Sequence, residues 1–237
     1  MERLTPSVHP KAWGEERYEF EARVNFPLLV KTLFAREKMS VQVHPGEESA
    51  KATGGAPKAE MWCMLEPGDV RAGLKEGVGE SEVRRALAEG AIDRLLVRQE
   101  LKRFDAIYIA PGTVHCAGGG ARFYEVQQNS DTTWRLYDWN RRDAQGVSRP
   151  LHIEQAMASI DWSLPPPRPV RDVATPWFRF EQLEFGEGGG EIAAPAGSPL
   201  LAYDVQSGAS TLLAPGERLA AGAGRYFATT LPPSPVG

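Results

Sequence analysis

The stretch Met39-Ser40-Val41-Gln42-Val43-His44-Pro45 decides how this chain is read. Val41 and Val43 alternate with Gln42 and His44, the period of two that marks a strand. On such a strand the amide of Gln42 and the imidazole of His44 leave from one face and can converge on one point. Glu60 lies in a second strand-like run, residues 59–65, and His115 follows the turn signal Pro111-Gly112. Two imidazoles, a carboxylate and an amide oxygen make a mixed nitrogen and oxygen set suited to Zn²⁺ or a similar divalent metal. Each has a plainer reading in isolation: a lone strand histidine is usually structural or at the surface, and glutamine is an uncommon ligand.

Working outward, the apolar alternation of 28–43 is broken by the charged run Ala35-Arg36-Glu37-Lys38, which predicts two short strands. The Gly-, Glu- and Ala-rich segment 45–57 reads as a surface excursion with a short helix. Val83, Ala86 and Leu87 have helical spacing and stop at Gly90, predicting an amphipathic helix over 80–89. Ile92, Leu95 and Leu96 read as a further helical turn. Strands are expected at 106–109, 122–127 and 132–139, with the run Gly118-Gly119-Gly120 as a hairpin that returns Glu125 beside its neighbour. Ile153, Ala156, Met157 and Ile160 mark another short helix. Residues 1–20 look irregular. Many short strands with turn punctuation predict a mainly β fold, a jelly-roll β-sandwich or barrel with a few short helices and a smaller C-terminal β half. The expected domains are 1–162, a Pro-rich linker at 163–170, and 171–237.

The 237 residues suffice for a sizeable core. A net charge of −4 with interspersed signs gives no polyanion-binding face, so nucleic acid is not an expected partner. No apolar run is long enough for a membrane span. Two cysteines form no disulfide framework, and a reduced cytoplasmic setting is the expectation. Cys63, opposite Glu60 in facing, and Cys116, beside His115, read as buried core thiols. His9 and His152 read as non-ligands.

Four ordered elements resemble the signatures of the type I mannose-6-phosphate isomerases. They are the run from Pro27-Leu28-Leu29-Val30-Lys31 to His44-Pro45, then Lys58-Ala59-Glu60-Met61-Trp62, then the segment 109–115, then Glu125 through Asp138. The resemblance covers about residues 27–142. It implies a cupin fold, and the smaller C-terminal β half is open to two readings, a separate small β domain or a degenerate second cupin. It also implies one Zn²⁺ per chain at Gln42, His44, Glu60 and His115, other divalent metals being accepted by the same donors. The implied activity is the interconversion of mannose 6-phosphate and fructose 6-phosphate in a monomer or homodimer. Two alternatives stand beside it: a cupin isomerase of another sugar phosphate, and a non-catalytic sugar-phosphate-binding cupin.

Such an isomerisation moves one proton between two carbons and another between two oxygens, through an enediolate whose charge needs stabilising. Arg135 is the candidate donor to that charge, with a salt bridge to Asp131 or Asp138 as its structural alternative. Glu125 and Lys58 are the candidate general bases, and the sequence does not choose between them. Ser40, by carry-over from the family, is a phosphate contact, with Arg135 or Lys58 assisting. Trp62 either walls the pocket or packs the core. Ser130 and Asp131 read as a turn, and Arg141 and Arg142 as supports of the fold or the pocket rim. Residues 170–237 contain no histidine and no ligand cluster.

Overall fold

The computed structural model describes residues 1–20 and 25–232. Residues 233–237, the end of the expected second domain, lie outside them. Among the described residues the strands form three larger sheets stacked as layers and one two-stranded ribbon. The central sheet runs in the order Ser7–Lys11, Gly14–Tyr18, Leu28–Ala35, Ala121–Gln128, Glu60–Met64, Ala106–Ile109. The front sheet runs Trp134–Tyr137, Val41–Val43, His115–Ala117, Gly68–Leu74, Leu96–Leu101. The back sheet runs Glu2–Arg3, Ala209–Leu213, Leu200–Asp204, Gly224–Thr230, Arg179–Phe185, Val173–Ala174. Every pairing is antiparallel. The mainly β sandwich architecture expected from the sequence is what the chain adopts.

Alternation along each strand explains the layering. Leu33, Trp62, Met64 and Phe123 of the central sheet pack against Val70, Ala72 and Ala117 of the front sheet. Their sequence neighbours Val30, Met61, Cys63, Tyr124 and Val126 turn the other way, onto Phe180, Leu201, Tyr203 and Phe227 of the back sheet. The outer face of the front sheet, with Val41, Val43 and Cys116, is covered by helical residues such as Val83, Ala156 and Met157. Ile192 of the ribbon Gly190–Ala193/Arg218–Ala221 joins Leu200, Ala202 and Leu213 on the outer side of the back sheet. One core thus joins residues before 163 to residues after 170. Between them, Gln99 Nε2 donates to Pro167 O at 2.8 Å and Ala106 bridges to Val170, so the Pro-rich segment is fastened to the first half.

Several local readings change. Residues 1–20 are not irregular: Ser7–Lys11 and Gly14–Tyr18 pair as a hairpin at the edge of the central sheet. A Cβ on Gly14, at φ +158, would lie 2.0 Å from Phe34 O, so only glycine lets this hairpin press onto its neighbour. The glycines at 118–120 do not close a hairpin. They carry the chain from His115–Ala117 in the front sheet to Ala121–Gln128 in the central one. The strand Leu96–Leu101 begins at the last residue of the helical turn expected from Ile92, Leu95 and Leu96, and it pairs with Gly68–Leu74. The helices are Glu47–Thr53, Glu80–Ala88 and Ile153–Ser159, with a 3₁₀ turn at Ile92–Leu95.

Candidate metal centre and active site

The first piece of the site comes from strand register. His115 pairs with Gln42 in the front sheet, and Gln42 pairs on its other side with Arg135. In the central sheet Glu60 pairs with Gln127, while Glu125 lies between Lys31 and Trp62 on the neighbouring strands. The two sheets bring these side chains face to face.

His44, Glu60 and His115 are buried, and each offers a ligand atom within 4.8 Å of the others. His44 Nδ1 donates to Thr132 O at 2.8 Å, and His115 Nδ1 donates to Thr113 O at 2.9 Å. Both rings are thereby held as Nδ1–H tautomers, with the Nε2 lone pairs turned inward, the arrangement that supporting backbone carbonyls impose on metal-ligating histidines. The two Nε2 atoms lie 3.2 Å from Glu60 Oε2 and Oε1 respectively. Three acceptors thus face one another, and neither His44 Nε2 nor either Glu60 oxygen has a hydrogen-bond donor among the described residues. Acceptors buried in that relation repel unless a cation lies between them, so the donor set fits a divalent ion.

Gln42 completes the group. Its Nε2 lies 3.3 Å from His115 Nε2, and its Oε1 accepts from Ser40 Oγ at 3.0 Å. Turning the amide over presents the oxygen to the cluster and the NH₂ to the Ser40 hydroxyl, which can accept as readily as donate. Lys58 Nζ stands 2.9 Å from Glu60 Oε2, outside hydrogen-bonding angles. Burial alone would raise Glu60, but the Lys58 ammonium holds its carboxyl well below the usual carboxylate range. Burial, then the same ammonium, pushes His44 down to about 4.

Gln42 and Lys58 also line a cavity of about 260 Å³ together with Ser40, Glu125, Arg135 and Gln127. The metal-ligand candidates His44, Glu60 and His115 lie behind that wall. The guanidinium of Arg135 has no carboxylate partner among the described residues. Asp138 is taken by Arg149 at 2.7 Å and Arg141 at 2.9 Å, which removes the salt-bridge alternative for Arg135. Burial, then the neighbouring Arg149, lowers the Arg135 pKa. Glu125 accepts from the Trp62 indole N–H at 2.8 Å on one oxygen, and its other oxygen is ion-paired with Lys31 Nζ at 2.9 Å, outside hydrogen-bonding angles. Trp62 therefore both packs the core and supports the cavity wall, its ring 5.3 Å from that of His115. Ser130 accepts the turn role, donating to Ala56 O and receiving the Thr132 N–H.

Lys11, Trp13, Glu16 and Tyr18, from the N-terminal hairpin, form a further wall of this cavity. Lys31 bridges the two carboxylates of this side, 3.9 Å from Glu16 and 2.9 Å from Glu125, and they hold its ammonium pKa above the ordinary value despite burial. Neither Lys31 nor this hairpin stood among the sequence candidates. The signal was Lys31 itself, a charge inside the otherwise apolar run Leu28–Ala35. His9 is exposed and His152 accepts weakly from the Arg135 N–H, neither near the cluster. A larger groove of about 580 Å³ beside Gly112 and Trp162 contains none of the candidate ligands.

No family model matches the chain. A mannose-6-phosphate isomerase of Streptococcus mutans serotype c is 41% identical over 136 residues, which are 56% of this chain and 43% of that protein. A mannose-6-phosphate isomerase of Bacillus subtilis (strain 168) is 40% identical over 141 residues, 57% of this chain and 44% of that protein. Over those residues this chain is similar to mannose-6-phosphate isomerases. The sequence match spans less than half the length of these relatives. The crystal structure of the mannose 6-phosphate isomerase from Bacillus subtilis superimposes with a TM-score of 0.82 at 21% identity, over 96% of this chain and 98% of that one. A mannose 6-phosphate isomerase bound with zinc and yttrium superimposes with a TM-score of 0.65 at 16% identity, over 97% and 98% of the two chains. The cupin fold expected of a mannose-6-phosphate isomerase relative is therefore the fold of this chain.

Proposed function

We propose that this chain is an aldose–ketose isomerase interconverting mannose 6-phosphate and fructose 6-phosphate. The observation that carries the reading is the buried convergence of His44 Nε2, His115 Nε2 and the Glu60 carboxylate, with His44 Nε2 and both Glu60 oxygens lacking a donor among the described residues, behind a cavity edged by Arg135 and Lys58. The relatives at about 40% identity supply the substrate. Zn²⁺ is the ion we assign to Gln42, His44, Glu60 and His115, following the zinc-bound structural neighbour. Such an ion supplies Lewis-acid polarisation of a carbonyl or hydroxyl oxygen.

The remaining roles fall to the chain's own groups. Arg135, without an acidic partner, donates to the oxygen on which enediolate charge develops, a contribution of roughly 3–4 kcal/mol for one preorganised donor. While Lys58 is committed to Glu60 at 2.9 Å, Glu125, a cavity-lining carboxylate, carries the proton between the two carbons. Lys31 and Trp62 fix its position. Lys58 balances the charge of Glu60 and, with Ser40 and Arg135, receives the phosphate. Among the described residues no helix is long and apolar enough to cross a membrane. We place the reaction in the cytoplasm, in a monomer or homodimer, within a catalytic unit of residues 1–162 backed by 171–237.

A coupled assay with mannose 6-phosphate, repeated after chelation and after zinc return, tests the reading. Turnover lost on chelation and regained with zinc is the expected result. Zinc-loaded protein that turns over another aldose phosphate but not this one would select the second isomerase reading. Binding without any turnover would select the non-catalytic one.

A further inference from the structure

The isomerase proposal leaves one buried cavity group without a task. Gln127 is fully buried in the strand Ala121–Gln128, on the same face as Glu125 and directly across from Glu60 in register. Its NH₂ is fully engaged, donating to Ser130 O at 2.8 Å and to Gln128 O at 3.1 Å. These two carbonyls fix the orientation of the amide, since turning it over would set oxygen against oxygen. The amide oxygen Oε1, by contrast, is buried and has no donor among the described residues. A carbonyl desolvated without a donor destabilises the free protein, and a partner that brings an O–H or N–H relieves that cost.

Resting on the isomerase reading, we infer that Gln127 is a specificity-determining residue whose Oε1 accepts a hydrogen bond from one hydroxyl of the sugar. The amide is rigid because Ser130 and Gln128 hold it, so it reads a hydroxyl at one position and in one configuration. Oε1 is covered in the present conformation, and the hydroxyl reaches it as the cavity side chains settle around the sugar. Neither the metal-ligand candidates nor the enediolate donors read the sugar's remaining hydroxyls, so such a reader gives the site a preference that its chemistry lacks. The competing role is a purely architectural one, in which Gln127 only ties the 128–130 turn through its NH₂. The two roles differ in one respect: only the first depends on a particular hydroxyl of the substrate.

The test is a cycle between enzyme and substrate. Zinc-loaded wild type and Gln127→Met are assayed with mannose 6-phosphate and with its 3-deoxy and 4-deoxy analogues. Wild type is expected to lose roughly tenfold to a hundredfold in kcat/KM for one deoxy analogue. In Gln127→Met the parent sugar falls by a similar factor and the penalty for that analogue disappears. Equal losses for all three sugars in Gln127→Met would mean an architectural role only and would overturn the inference. If Gln127→Met does not fold, Gln127→Leu takes its place in the cycle, and wild-type analogues all within twofold of the parent sugar would by themselves overturn the inference, because they leave no hydroxyl for Oε1 to read. Absence of wild-type turnover with mannose 6-phosphate would instead remove the isomerase reading on which the inference stands.

Discussion

On the front face of the central sheet, Lys31, Glu60, Glu125 and Gln127 carry charge and amide groups into the protein interior. On the back face, their immediate neighbours Val30, Met61, Tyr124 and Val126 press against Phe180, Tyr203 and Phe227. Both faces come from the same strands, and backbone pairing is common to both. The front face is therefore an expensive arrangement, because buried charges gain stability only from close partners. The back face is ordinary apolar burial. Its contribution offsets the front, so the C-terminal layer acts as the stabilising partner of a polar site that would be poorly stable as the inner face of an isolated sandwich.

Substitutions on the two faces should then separate activity from stability. The largest effect is expected from His115→Ala, a loss of at least about a thousandfold in kcat/KM, equivalent to about 4 kcal/mol of transition-state stabilisation. Loss of bound zinc in the same preparation, measured by metal analysis, should accompany it. Retained activity would remove the metal assignment from the front face.

Next come two variants of comparable cost in opposite layers. Lys31→Met leaves the Glu125 carboxylate buried without its cation and should cost about 3–5 kcal/mol in denaturant unfolding, together with a fall in kcat. Phe227→Ala empties the back core and should cost about 3–5 kcal/mol as well, with kcat per folded molecule unchanged. A kcat loss in Phe227→Ala as large as that of Lys31→Met would break the comparison. A smaller change is expected for Tyr124→Phe, which deletes the hydroxyl contact to Thr229 Oγ1 at 3.2 Å. It should lower stability by about 1 kcal/mol and leave turnover alone.

The smallest effect tests a charge on the back face. Glu19 is buried there and accepts from Thr32 at 3.0 Å and Ser210 at 2.8 Å. Burial raises its pKa above the usual 4.5, against the opposing pull of Arg17 and the two hydroxyls. A carboxyl raised on folding contributes stability that is full below its unfolded pKa and is lost as pH rises through the folded one. Glu19→Gln should therefore have a Tm at neutral pH slightly above wild type, with the advantage shrinking as the pH is lowered toward 4.5. A wild type that is more stable at neutral pH would mean that Arg17 outweighs burial.

Much of this was legible in the sequence where one local rule decides. The alternation of Val41-Gln42-Val43-His44 gave the strand and its two faces, and the helices at 80–88 and 153–159 followed from spacing. The ligand set Gln42, His44, Glu60 and His115 came from the two-residue spacing of the first pair and from the four ordered elements. What escaped depends on partners far along the chain. The strands of residues 1–20 carry charge because they form a sheet edge and a cavity wall, so their alternation is not one of hydrophobicity. The carbonyls of Thr113 and Thr132 that orient the histidines have no side-chain signature at all. The glycines at 118–120 look the same in sequence whether they reverse a strand within one sheet or pass it to another.

The pairing of Glu2–Arg3 with Thr211 and Leu212 has a consequence for how the molecule is assembled in time. These partners are separated by nearly the whole chain, and Leu4 N–H also donates to Ser210 O at 2.9 Å. During synthesis the edge of the back sheet cannot close until the last third of the protein has left the ribosome. Until then Glu2–Arg3 has no strand to pair with, and an unpaired strand edge is where nascent β proteins recruit chaperones or associate with one another. Closure of so long a loop is also slow relative to local hairpins. Yield of active protein should consequently respond to translation speed and temperature more than its final stability would indicate.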